Sequence, residues 1–217
     1  MEIRQELIKD ALDSSGWHGP PLRFLEIGIR HGETWQALNG YFNASNVQYT
    51  GVDIKFYLTP PQEGRWIEQD SVDYWRTLPV DQMFHVIFVD GCHGNIHADL
   101  DTKGALLHLH PGGILLQHDT GCDSETLHPR IKKAGCFGAF CRNCLDRPEL
   151  VGRIDRQHPE GMGITKKHSP LGKQFLLDTE DTDTVGCCDV CDTFGLDKKT
   201  PGVRKTFPLY FGESDGT

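Results

Sequence analysis

The sequence predicts an α/β fold: a doubly wound, mostly parallel seven-stranded sheet covered by helices, with a cysteine-containing C-terminal extension. Three observations predict it. Short apolar runs alternate with segments of helical periodicity, the pattern of consecutive βαβ units. The runs are continuous rather than alternating, as strands buried on both faces require; FHVIFV at 84–89 is the clearest. Four of the runs lead into an aspartate: Asp53, Asp70, Asp90 and Asp119. Each alone reads first as a turn residue or a helix cap. Four in succession line the carboxyl edge of one sheet, where ligands bind in this architecture.

The elements follow in order. Residues 2–13 place Ile3, Leu7, Ile8, Ala11 and Leu12 at the spacing of an amphipathic helix, and SSGWHGPP breaks it. RFLEIGI (23–29) is a buried strand ending near glycine, and HGETWQALNGYF is the helix after it. VQYTGVDI (47–54) and RWIEQD (65–70) are the second and third strands, and DYWRTL starts another helix. FHVIFVD (84–90) is the fourth strand, 95–109 a helix, and GGILLQHD (112–119) the fifth strand. Residues 128–146 are partly helical, and 150–168 read as two strands around an HPEG turn that close the sheet as an antiparallel edge. Residues 1–168 thus form the α/β domain. Residues 169–217, rich in Asp, Thr and Gly, form an appendage.

Composition narrows the partners. The chain has 217 residues, enough for one domain with an appendage, and 37% of them are hydrophobic. A net charge of -9 without a long Lys/Arg run argues against nucleic acid or an anionic membrane as partner. The N-terminal segment has no apolar signal core, and no run approaches the roughly 20 apolar residues of a membrane span. The expectation is a soluble, cytoplasmic protein; its oligomeric state is left open.

LEIGIRHGETW sets Glu26, Gly28 and Gly32 between a strand and a helix, where glycine lets backbone approach a ligand. The spacing is G-x-x-x-G, not the dinucleotide pattern G-x-G-x-x-G. Together with YTGVDI, IEQDS and FHVIFVDGCHGNIHADLDTKGALLHLHPGGILLQHDT, it resembles the class I S-adenosylmethionine-dependent methyltransferases. Within them it is most similar to the small-molecule and sugar O-methyltransferases that carry DG-x-H…DL…L-x-PGG…HD around the fourth and fifth strands. The match spans residues 20–120 and, more loosely, GMGITKKH at 161–168. The resemblance implies a Rossmann-like fold, S-adenosylmethionine as cofactor, and a hydroxyl of a small molecule or sugar as acceptor. By the same resemblance Glu26, Gly28 and Gly32 shape the pocket for the methionine part. Asp53 accepts hydrogen bonds from both ribose hydroxyls, as a carboxylate with two acceptor oxygens can. Asp70 and Ser71 lie near the adenine.

The strand-end groups suit the transfer step. Methyl transfer is an in-line displacement, so the acceptor oxygen must be oriented and its proton loosened. A divalent ion does both, and several members of the resembling group use Mg²⁺. Asp90 and Asp119 are the natural ligand pair. Where those enzymes carry a further carboxylate beside the fifth-strand aspartate, this chain has His118; where some carry an aspartate two residues after the fourth-strand one, it has Cys92. An imidazole ligand shifts the preference from Mg²⁺ toward Mn²⁺, Fe²⁺ or Zn²⁺. The alternative is a metal-free site with His93 or His118 as general base, near Asp90. His97, His108 and His110 read as surface or packing residues.

The late cysteines form two C-x-x-C pairs, CRNC at 141–144 and CCDVC at 187–191. Cys141, Cys144, Cys188 and Cys191 have the types and local spacing of a tetrahedral Zn²⁺ site that would staple the tail to the domain. Free thiols and disulfides are the alternatives. Two further functions stay open beside the methyltransferase: a hydroxylase-like reaction in the same crevice, or a non-catalytic cofactor-fold protein that binds a protein partner.

Overall fold

The computed structural model describes residues 3–15, 17, 19, 21–120, 135–140, 143–144, 149–155 and 161–169. Its elements are α1 (Ile3–Ser14), β1 (Leu22–Ile27), α2 (Glu33–Ala44), β2 (Val47–Asp53), β3 (Arg65–Glu68) and α3 (Ser71–Thr77). There follow β4 (Phe84–Val89), α4 (Asn95–His108), β5 (Leu109–His118), α5 (Gly135–Phe140), β6 (Leu150–Asp155) and β7 (Met162–Lys167). The expected appendage lies outside the described residues but for Ser169. None of the described helices is long and apolar enough to cross a membrane.

The seven strands form one sheet in the order β3-β2-β1-β4-β5-β7-β6. All neighbouring pairs are parallel except those of β7, which runs antiparallel to both β5 and β6. The strand order reverses between β1 and β4, and this switch point opens a crevice above their carboxyl ends. Successive residues of the central strands face opposite sides. Phe24, Val86 and Phe88 pack with Ile8 of α1 and Phe42 of α2 on one side. Leu25, Ile87 and Val89 pack with Trp75 of α3 and Leu106 of α4 on the other. Both faces are therefore core, which is why the strands read as continuous apolar runs.

Two boundaries differ from expectation. β3 ends at Glu68, so Asp70 is not a strand-end residue; its carboxylate caps α3, accepting from the backbone of Val72 at 2.9 Å and Asp73 at 3.4 Å. A carboxylate there satisfies helix amides that have no partner of their own. β5 starts at Leu109 rather than 112, because Leu109 already pairs with Phe84. The register then shifts between Phe84 and Val86, and Pro111 and Gly112 bulge out of the ladder, Gly112 at φ 89°. At the other end of the sheet the buried Lys167 amine donates to the carbonyls of Leu106 at 2.8 Å and Leu109 at 2.7 Å. It ties β7 to the last turn of α4, where carbonyls are left open, and to the start of β5; burial pulls its pKa down to about 8.

Candidate active site

The β1–α2 loop is built around Gly28. Its φ is 88°, and a Cβ there would lie 2.2 Å from the carbonyl oxygen of Asp90. Asp90 N in turn donates to Ile27 O at 2.8 Å, and Gly28 N to Val52 O at 2.9 Å. The glycine is thus required first by contact between the loops after β1 and β4, and only second by approach to a ligand. Gly28→Ala is expected to lose about 3 kcal/mol or more of stability, since it combines backbone strain with a backbone clash; urea unfolding measures it. Gly32, at φ 72°, precedes α2 and faces Leu58. Asp53, at the end of β2, fixes the same loop: Oδ2 accepts from Arg30 N at 2.7 Å and Oδ1 from Lys55 N at 3.2 Å.

These loops enclose a cleft of about 490 Å³ at the switch point. Of the residues expected around the cofactor, Glu26, Gly28, Asp53, Asp70 and Ser71 line it; Gly32, at the start of α2 against Leu58, does not. Asp90 and His93 line it as well, while His118 and Asp119 stand behind them, buried. Residues not anticipated from the sequence also face the cleft, among them Arg4, Thr34, Tyr57 and His97. His97, expected on the surface or in packing, reaches Asp70 Oδ2 at 3.5 Å. Burial resists the charge on Asp70, yet His97 and the α3 amides hold its pKa below the ordinary value. The position of His97 in the first turn and a half of α4 was the available signal. His108 does pack, stacked on Trp75 with its Nδ1 2.8 Å from Gln82 O.

Glu26 is a buried carboxyl at the floor of the cleft, accepting from the Tyr49 hydroxyl and Thr34. Burial outweighs those hydrogen bonds and raises its pKa from 4.5 to about 7. The sign follows from linkage. Between about pH 4.5 and 7 the unfolded chain releases this proton while the folded chain keeps it, so stability falls as pH rises through that window. The fall is on the order of 3 kcal/mol. Glu26→Gln is expected to flatten that part of the stability profile, measured by urea unfolding on either side of it.

The strand-end cluster is held by opposite charges. His118 Nδ1 lies 3.1 Å from Asp90 Oδ1 and 3.3 Å from Asp119 Oδ1. His93 Nε2 lies 2.8 Å from Asp119 Oδ2. Arg4 of α1 brings Nη1 to 3.2 Å from Asp90 Oδ2. Burial disfavours a charged His118, but the two carboxylates overcome it and raise its pKa to about 10. Asp119 is held well below the ordinary carboxylate range by His118 and His93, against the opposing effect of burial. Its backbone is left-handed at φ 57°, a conformation aspartate tolerates and one common at working sites.

His118, expected as general base or metal ligand, is buried behind the cleft wall with its Nδ1 facing both carboxylates. The donor atoms that converge are those of Asp90, His93 and Asp119, all within 4.8 Å of one another. Of the four cysteines expected to share zinc, Cys144 is fully buried in the core cluster with Phe140 and Leu150. Cys141, Cys188 and Cys191 lie outside the described residues.

No protein-family model and no curated protein matches the sequence. Solved structures do match the fold. The S-adenosylhomocysteine-bound methyltransferase PaMTH1 of Podospora anserina superposes with a TM-score of 0.55 at 19% identity, over 76% of this chain and 77% of that one. The chain has a methyltransferase fold. CalS11, a TDP-rhamnose 3′-O-methyltransferase of calicheamicin biosynthesis, follows at TM-score 0.54 and 12% identity, over 75% and 78% of the two chains. MycE of the mycinamycin pathway, solved with Mg, S-adenosylhomocysteine and mycinamycin VI, gives 0.51 at 15% identity, over 83% of this chain and 51% of that one.

Proposed function

We propose that the chain transfers the methyl group of S-adenosylmethionine to a hydroxyl of a small molecule or sugar. The observation that carries this is the cleft at the β1/β4 switch point of a methyltransferase fold, with Glu26, Asp53, Asp70 and Ser71 along its wall and a His–Asp pair at its end. Asp53 receives the ribose diol, Asp70 and Ser71 adjoin the adenine, and Glu26 with the Gly28 turn encloses the methionine part. The acidic floor suits a sulfonium cation.

At the far end His93 takes the acceptor proton. Its Nε2–H donates to Asp119, which makes Nδ1 the acceptor nitrogen of the neutral ring. The acceptor oxygen attacks the methyl carbon in line with sulfur; the C–O bond forms as C–S breaks, the proton passes to His93, and S-adenosylhomocysteine is left. Asp119 orients His93, and the bridging His118 fixes Asp119 and Asp90 relative to each other. The acceptor is supplied from solvent above Asp90 and His93.

One observation favours a second arrangement at the same site. The converging atoms of Asp90, His93 and Asp119 fit a divalent ion, and two carboxylates with one imidazole suit Mn²⁺, Fe²⁺ or Zn²⁺ better than Mg²⁺. Such an ion, when bound, would lower the pKa of the acceptor hydroxyl. The test is methyl transfer from labelled S-adenosylmethionine to a panel of sugar and phenol hydroxyls, with and without chelator. Labelled product supports the function, and its loss with chelator selects the metal arrangement. Cofactor binding without transfer to any hydroxyl would favour the non-catalytic alternative.

A further inference from the structure

The methionine end of the cofactor is a zwitterion, and the cleft offers one complementary cation at that end. Arg4 and Arg30 are the arginines that line the cleft among the described residues, and no lysine does. Arg30 belongs to the ribose end, since its backbone amide is bound by Asp53. Arg4 is at the other end. It reaches in from α1 with its side chain only 14% exposed, and pairs with Asp90 at 3.2 Å and Glu33 at 3.3 Å. Glu26 adds its field to the same guanidinium.

Both Arg4 pairs are longer than the about 2.7–2.9 Å of a tight charge-assisted bond. A guanidinium with five N–H donors can serve more than two carboxylates. Three acidic side chains around one arginine also form a site for an ammonium group. We infer that Arg4 receives the α-carboxylate of the cofactor while Glu33 and Asp90 face its α-ammonium. This rests on the cofactor reading above. It makes the N-terminal helix part of the cofactor site rather than packing alone.

The test compares two nucleosides. S-adenosylhomocysteine carries the amino-acid tail; methylthioadenosine keeps the adenosine and sulfur but lacks the tail. Binding of each is measured by calorimetry to the wild-type chain, Arg4→Gln and Arg4→Lys. The expected result is that Arg4→Gln weakens S-adenosylhomocysteine about 10- to 100-fold, the scale of one charge-assisted bond. Methylthioadenosine should change less than about twofold, and Arg4→Lys should recover part of the loss. Equal losses for both nucleosides would mean that Arg4 only holds α1 in place, and would overturn the inference. So would an unchanged affinity for S-adenosylhomocysteine. Wild-type protein that binds neither nucleoside would remove the cofactor reading itself, and the inference with it.

Discussion

Asp119→Ala is expected to lower kcat by about 10³-fold while cofactor affinity stays within a few-fold. Asp119 stands behind the cleft wall, touching His93 at 2.8 Å and His118 at 3.3 Å, and does not itself line the cleft. Its removal strips His93 of the partner that sets its tautomer, or strips a metal of one ligand. Either way the acceptor side fails and the cofactor side survives. The substitution also leaves the buried His118 with one carboxylate instead of two. A stability loss of about 3 kcal/mol is therefore expected alongside. Asp119→Asn keeps the shape and separates the two effects: kcat should still fall, while urea unfolding recovers toward wild type. A loss of cofactor affinity as large as the loss of kcat would contradict the acceptor-side role.

Asp53→Ala should have the opposite signature. Two ribose hydroxyls donating to one carboxylate contribute about 1.5–3 kcal/mol each, so affinity for S-adenosylmethionine should drop about 100-fold or more. Part of the loss comes through the loop, because the same carboxylate holds the amides of Arg30 and Lys55. Asp53→Asn retains one acceptor oxygen and should fall between Ala and wild type. Saturating cofactor should restore most of kcat in both variants, since the transfer groups are untouched. An unchanged affinity in Asp53→Ala would remove the ribose from the end of β2.

The central strands were legible because burial on both faces leaves an unmistakable run of apolar residues, as in Phe84–Val89. Asp53 and Asp90 were legible for the same reason: a carboxylate directly after such a run has to emerge at the sheet edge. Asp70 looked equivalent but is set by helix capping, a local hydrogen-bond choice that the RWIEQD pattern does not distinguish from a longer strand. The Pro111 region misled because a bulge absorbs residues that otherwise read as a turn. His118 and His93 were both visible as candidates. Which of them faces the cleft depends on side-chain direction and on the left-handed turn at Asp119. Arg4 left no signal at all: it looks like one more charge on an amphipathic helix, and only the packing of α1 against β4 brings it to Asp90.

The most direct measurement is calorimetric titration of the purified protein with S-adenosylmethionine, with and without Mg²⁺ or Mn²⁺, on a sample whose metal content has been determined. The expected result is one site per chain with micromolar affinity, changed at most a few-fold by the ion, because Asp90 is the one proposed ion ligand also assigned to the cofactor. Absence of binding under every metal condition would contradict it, and leave the methyltransferase fold without its cofactor.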